Sequence, residues 1–145
     1  MKTLQTVSML ERVLFLREVP LFADLSPSDL KQIADVADEN LYSDGSIICR
    51  EGDEGHEMFI IVSGNIRILK SEADADKLLA VRSVGEFIGE MAIIETSVRF
   101  ATAQAEGDTR LLVIDGNIFK AILRDRPEVS FAVLRGLSRR LREKT

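Results

Sequence analysis

The chain has one cysteine, one histidine, three prolines and no tryptophan in 145 residues. One cysteine cannot close an intramolecular disulfide, so the stapled framework of small secreted domains is absent and a cytoplasmic, reducing setting is expected. A single histidine is equally limiting. Zinc and non-haem iron sites usually draw on two or more His or Cys ligands, so neither a metal nor a catalytic cofactor is expected. His56 is also the only imidazole that a Ser/His/Asp or Cys/His arrangement could use, and the sequence does not read as an enzyme. No apolar run approaches the roughly 18–20 residues of a membrane-spanning helix; the longest, such as Met58 to Val62, are strand-sized. Glu11, Arg12, Arg17 and Glu18 break up the N-terminal stretch, which therefore lacks the apolar core of a signal peptide. Membrane insertion is not expected.

What the chain does have is a 46% apolar composition, enough for one well-packed domain, and 24 acidic against 19 basic side chains for a net charge of −5. That charge is unevenly spread. Residues 120–145 hold eight basic and three acidic side chains, a balance of +5, which leaves −10 on the preceding 119 residues. Basic residues near a helix C-terminus are expected from the helix dipole. A DNA-reading module would need a recognition helix, and the chain stops before one, so direct DNA binding is not expected.

Three regions follow from periodicity. Residues 1–40 read as N-terminal helices. Ser8-Met9-Leu10-Glu11 has the form of a capping box, Pro20 stops that helix, and Ser26-Pro27-Ser28-Asp29 starts a second one carrying Leu30, Ile33, Ala34 and Ala37 on one face. From 41 to 115 the period shortens to two. Short β-rich runs (Ile47 to Cys49, Met58 to Val62, Ile66 to Leu69, Leu78 to Val81, Ala101 to Ala105, Leu111 to Ile114) are separated by turn chemistry at Ser43 to Ser46, Glu51-Gly52-Asp53, Ser63-Gly64-Asn65 and Glu106-Gly107-Asp108, with a polar hairpin loop at Glu72 to Lys77. This is the pattern of an antiparallel sandwich or rolled barrel. Residues 116–145 return to helix: Asp115 caps a short one, and Pro127 opens a last one in which Leu134, Leu137 and Leu141 are expected to pack on the body of the domain, with pairing to a second copy as the alternative. Cys49 reads as a buried, inert thiol, and Arg82 as a surface residue, with an approach to a ligand from its strand as the alternative.

The segment Gly85 to Val98 exceeds what a β meander needs, and long connections in compact domains are usually functional. Its centre has helix formers for about one turn behind a glycine, so backbone N–H groups are exposed there, and Arg99 follows where the chain re-enters the sheet. The physical reading is a cradle for a small phosphorylated ligand. Amides and a guanidinium fork hold the phosphate, and the Glu90 carboxylate accepts from sugar hydroxyls.

The stretch Ile47 to Leu69, with its Glu51-Gly52-Asp53 and Ser63-Gly64, the stretch Gly85 to Ile94, with Gly89-Glu90-Met91-Ala92, and Leu111 to Phe119 together resemble the cyclic nucleotide-binding domain family, which includes the effector domain of the catabolite activator protein and the regulatory subunits of cyclic-AMP-dependent kinase. The resemblance covers about Leu16 to Arg142. It implies a mainly β fold with flanking helices: an antiparallel, jelly-roll-like β-roll with N-terminal helices and C-terminal lid helices, in which a phosphate-binding cassette spans 85–101. By the same resemblance Glu90 takes the ribose 2′-hydroxyl, Arg99 pairs with the cyclic phosphate, Gly89, Met91 and Ala92 supply backbone groups, the Phe100 N–H faces the phosphate, and Ile68 and Leu79 line the base pocket. The implied function is a cytoplasmic sensor of a cyclic nucleotide, cyclic AMP ahead of cyclic GMP. It would signal through its C-terminal helix to an effector outside this chain, as a monomer or a weak homodimer through that helix. Two residues depart from the family pattern. Val98 stands where the family has proline, and Phe100 where it has a small residue whose hydroxyl, in guanine-selective relatives, contacts the base. Phe100 therefore disfavours guanine and motivates an alternative, a degenerate β-roll that binds no nucleotide and serves as a protein-interaction or structural module.

Overall fold

The computed structural model describes residues 8–95 and 98–143. Helix α1 (Met9–Glu18) begins at Ser8, whose hydroxyl accepts from the Glu11 amide at 3.2 Å and donates to the Glu11 carboxylate at 3.0 Å. A 3₁₀ turn at Pro20–Phe22 leads to α2 (Pro27–Val36), capped by Ser26 on the Asp29 amide. Six strands follow: β1 (Ala37–Tyr42), β2 (Ile47–Cys49), β3 (Glu57–Glu72), β4 (Ala75–Arg82), β5 (Phe87–Ile88) and β6 (Thr102–Asp115). A one-turn helix α3 (Met91–Ile94) lies between the last two. The chain closes with α4 (Gly116–Asp125), whose first amides donate to the Asp115 carboxylate, and α5 (Pro127–Glu143).

All strand pairs are antiparallel, and the sheet is organised by its two long members. Strands β3 and β6 pair along nearly their whole lengths, from Glu57↔Asp115 to Leu69↔Thr102. Their outer edges are shared between short partners. On β6, β1 takes the C-terminal half and β2 the N-terminal half; on β3, β5 takes the first half and β4 the second. This gives two four-stranded halves joined through a bend, which is the jelly-roll-like β-roll.

The bend explains where the chain departs from the periodicity reading. Ser63-Gly64-Asn65 and Glu106-Gly107-Asp108 do not reverse the chain. They form facing irregularities where the β3–β6 register shifts between Ile61 and Asn65. A bulge needs the same residue types as a turn, because it also places one residue in a left-handed conformation and sharpens the local twist. Gly64 has φ +86°, and a Cβ there would come within 2.5 Å of the Thr109 hydroxyl, itself fully buried and donating to the Asn65 carbonyl at 3.1 Å. The expected loop at Glu72 to Lys77 is likewise shorter: Glu72 pairs with Ala75, and only Ala73 and Asp74 turn. The first strand begins at Ala37, ahead of the 41 boundary, because pairing of Ala37 to Tyr42 with Ile114 to Thr109 outweighs the poor strand propensity of Ala-Asp-Glu-Asn.

Alternation along β3 and β6 feeds two apolar layers. Met58, Ile60, Leu112 and Ile114 face the helices, meeting Leu16, Phe22, Ile33, Phe119, Ile122 and Val129. Phe59, Ile61, Ile66, Leu111 and Val113 face the interior of the roll with Ile88 and Ala103. Burial on both faces is why Met58 to Val62 reads as an unbroken apolar run. On α5 the leucines divide: Leu137 packs toward the helical layer, while Leu134 and Leu141 are exposed, together with Phe131. Packing on the body therefore accounts for one of the three.

Phe119 is 1% exposed, and its ring centroid lies 6.3 Å from that of Phe22. Phe119→Ala is expected to lower the unfolding free energy by about 3–5 kcal/mol in urea titrations. A loss below about 1 kcal/mol would contradict the placement of α4 on this core.

Candidate functional site

The second half of the roll, β2, β4 and the matching parts of β3 and β6, presents an apolar wall of Cys49, Ile68, Leu79, Ala80 and Ala103. Over this wall lie Ile88 to Met91 and Val98 to Ala101, and together they border a cavity of about 230 Å³. Its polar lining is Arg82, Glu90, Arg99 and Arg140, three guanidinium groups around one carboxylate in a domain whose body is otherwise acidic.

Arg99 is held from its backbone outward. Its amide donates to the Asp53 carbonyl at 2.8 Å and its carbonyl accepts from the Gly52 amide at 2.9 Å, while neighbouring Val98 bridges Glu54. The Glu51-Gly52-Asp53 turn is thus the anchor for the end of the segment. The side chain then turns inward and is 7% exposed. Nη1 donates to the Glu57 carbonyl at 3.0 Å, and the guanidinium carbon lies 5.4 Å from the centroid of the Phe59 ring. Nε is buried with no hydrogen-bond partner among the described residues. Two glycines make the room: a Cβ on Gly55 would lie 2.0 Å from Nε, and one on Gly89 would lie 2.8 Å from Nη1. A buried donor without an acceptor costs roughly 1–3 kcal/mol, so this site favours an incoming acceptor, and an anion above all.

Glu90 stands at the start of α3, and its Oε1 accepts from Arg140 Nη1 on α5 at 3.1 Å. The other terminal nitrogen of Arg140 donates to the Phe87 carbonyl, and the guanidinium sits 3.7 Å from the Phe87 ring centroid. Burial lowers the pKa of Arg140, the Glu90 charge opposes that, and Arg82 adds to it. Arg82 itself pairs with Glu86 at 3.2 Å. It lines the cavity, which corrects the expectation of a surface position; a strand whose side chains alternate has to send either Val81 or Arg82 inward.

Of the residues singled out for a ligand role, Gly89, Glu90, Met91, Arg99, Phe100, Ile68 and Leu79 border this cavity. Ala92 lies within α3, with its side chain outside the described ones. Phe100 borders both the cavity and a neighbouring cleft, and its ring lies beneath the Lys70 ammonium, 4.1 Å from the centroid. Residues that the sequence reading passed over are Gly55, whose only signal is proximity to the Glu51-Gly52-Asp53 turn, and Arg140, which it counted with the basic cluster of the last helix.

Cys49 is half-buried on the cavity wall, and burial pushes its thiol pKa up, with the Arg99 charge opposing.

With this geometry in place, comparison with known proteins is direct. A sequence profile described as "Cyclic nucleotide-binding domain" matches residues 39–126, more than half of the chain. The chain belongs to this family. It is 32% identical over 125 residues to the cyclic AMP receptor protein of Thermus thermophilus, covering 86% of this chain and 58% of that protein. It is 37% identical over 108 residues to human cGMP-dependent protein kinase 2, covering 72% of this chain and 14% of the kinase. The crystal structure of the Thermus thermophilus catabolite activator protein superposes with a TM-score of 0.77 at 32% identity, over 86% of this chain and 59% of that one. The chain thus spans less than two thirds of these relatives. The fold is the β-roll with flanking helices that the resemblance implied. Among the described residues no helix is long and apolar enough to cross a membrane.

Because the thiolate is the reactive form, the raised pKa of Cys49 predicts slow alkylation near neutral pH. The pH-rate profile with iodoacetamide is expected to have its midpoint above that of an unburied cysteine measured alongside; a midpoint at or below that reference would contradict the burial described.

Proposed function

We propose that this domain is a regulatory sensor whose ligand is a cyclic purine nucleotide, cyclic AMP in the first place, and that it acts in the cytoplasm on an effector domain or protein outside this chain. One observation carries the reading: a buried Arg99, whose Nε has no partner among the described residues, shares a cavity with Glu90. Arg99 meets the cyclic phosphate, whose exocyclic oxygens accept from Nε and from the Phe100 amide. Glu90 accepts from the ribose 2′-hydroxyl through the oxygen that Arg140 leaves, while the backbone of Gly89, Met91 and Ala92 shapes the turn around the sugar and phosphate. Ile68 and Leu79 meet the base. The names of the relatives point the same way in class but not in base, since one is a cyclic AMP receptor and another a cyclic-GMP-dependent kinase. Adenine is preferred here because Phe100 has no hydroxyl to offer the guanine amino group.

The signal leaves through α5. Arg140 grips both Glu90 and the Phe87 carbonyl, so a ligand that engages Glu90 alters the contacts that hold the helix. Binding and helix position are then linked by the ligand's differential affinity for the two arrangements. The exposed Phe131, Leu134 and Leu141 give that helix a surface for a weak homodimer. Nothing in this chemistry calls for a catalyst.

Calorimetry of the domain with cyclic AMP is expected to show saturable heat, and no heat or thermal shift at millimolar nucleotide would sink the proposal. Arg99→Ala is expected to weaken binding by about 1.5–3 kcal/mol, roughly 10- to 150-fold. Gly55→Ala tests the same group without touching it. The added methyl must displace the guanidinium, so affinity is expected to drop by about tenfold or more, whereas unchanged affinity would contradict the role of the Arg99 position.

A further inference from the structure

We propose that Phe100 is the residue that stacks on the ligand's base, held for this role by Lys70, and that it makes the site prefer purine over pyrimidine cyclic nucleotides. The inference rests on the cyclic nucleotide reading above and adds to it how the base is chosen. Four observations carry it. Phe100 borders both the cavity and the neighbouring cleft and is 56% exposed, so its apolar surface stands at the edge of the space a ligand would enter. It is not a loose side chain, because Lys70 on β3 places its ammonium 4.1 Å from the ring centroid and donates to the carbonyl of Phe100 itself at 2.8 Å. Lys70 is in turn fixed by Glu51 at 3.3 Å, and the Glu51 carboxylate accepts from the Ser71 amide at 2.8 Å, while the Glu51 amide donates to the Thr102 hydroxyl at 2.9 Å. A chain of charge-assisted contacts therefore runs from the β2–β3 connection through β3 to the end of the cassette and fixes one aromatic ring. Finally, in the rest of the apolar wall Ile68, Leu79, Ala80 and Ala103 have no side-chain hydrogen-bonding group to read a base edge, and Cys49 has only a weak one.

A pocket of this kind distinguishes bases by the area of their π-faces. Stacking on an aromatic side chain is sequence-tolerant and grows with the overlap of the two faces, so a two-ring purine gains more than a one-ring pyrimidine. A ring already in contact with a cation loses less freedom when the base arrives than a ring without contacts, which leaves more of the stacking gain in the affinity. The exposed bulk of Phe100 thus becomes part of the recognition surface.

The test is calorimetry with the 3′,5′-cyclic monophosphates of adenosine, guanosine, cytidine and uridine on the wild-type chain and on Phe100→Tyr, Phe100→Leu, Phe100→Ala and Lys70→Met. The wild type is expected to bind the two purine nucleotides roughly tenfold or more tightly than the two pyrimidine ones. Phe100→Tyr keeps that ratio. Phe100→Leu, of similar bulk but without a π-face, and Phe100→Ala bring it close to one by weakening the purines, and Lys70→Met lowers it part of the way. A gain in affinity in Phe100→Ala would show that the ring obstructs the site and would overturn the proposal while leaving nucleotide binding intact. An equal loss for all four nucleotides in Phe100→Leu would reduce Phe100 to a structural part and also overturn it. Absence of heat with any nucleotide overturns the proposal together with the reading on which it rests.

Discussion

The site depends on one placement, that of the Arg99 guanidinium inside the roll with a donor left over. A buried cation is costly unless it is paired and hydrogen-bonded. Here the protein supplies a carbonyl at 3.0 Å and an aromatic face, and Nε is buried without an acceptor among the described residues. Holding the group in this state requires everything around it: the turn at Gly52 and Asp53 that pins its backbone, the missing side chains of Gly55 and Gly89, and the β-roll that brings Glu57 and Phe59 beneath it. The bends of β3 and β6 follow from the same demand, since a flat sheet would have no interior for the arginine to enter.

Helix α5 spans the distance between this site and the rest of the domain. One turn of it carries Arg139, which donates to the Pro20 carbonyl in the 3₁₀ turn, and Arg140, which holds Glu90 and the Phe87 carbonyl. A turn earlier Arg135 pairs with Asp24 at 2.9 Å, and at the helix start Arg126 pairs with the buried Asp29 of α2. The basic excess of the last 26 residues is therefore not a diffuse charge. Much of it is spent on acceptors of the N-terminal helices and of the cassette, so the two ends of the chain and the pocket share one mechanical element.

Local chemistry was legible in the sequence wherever a residue's role is set by its neighbours in the chain. The caps at Ser8, Ser26 and Asp115, Pro127 at the start of α5 and the one-turn α3 all follow from adjacent residues. The bulges at Gly64 and Gly107 were not, because a positive φ reverses a chain or kinks a strand depending on a partner strand some forty residues away. The same holds for the start of β1, where pairing with Ile114 decides the matter, and for Arg140, whose meaning depends on Glu90 fifty residues earlier. In the site, Glu90 and Arg99 stood out through their motif, whereas Gly55 carries its meaning only once Arg99 is seen lying against it.

The central claim is that the Arg99 Nε–H, buried and without a partner among the described residues, donates to a phosphate oxygen of the ligand, and arginine side-chain ¹⁵N–¹H correlation spectra can watch that proton directly. With the resonance assigned by its loss in Arg99→Lys, titration with cyclic AMP is predicted to move the Arg99 Nε–H downfield and to saturate as the hydrogen bond forms. A resonance that stays in place while nucleotide reaches millimolar concentration would contradict the account.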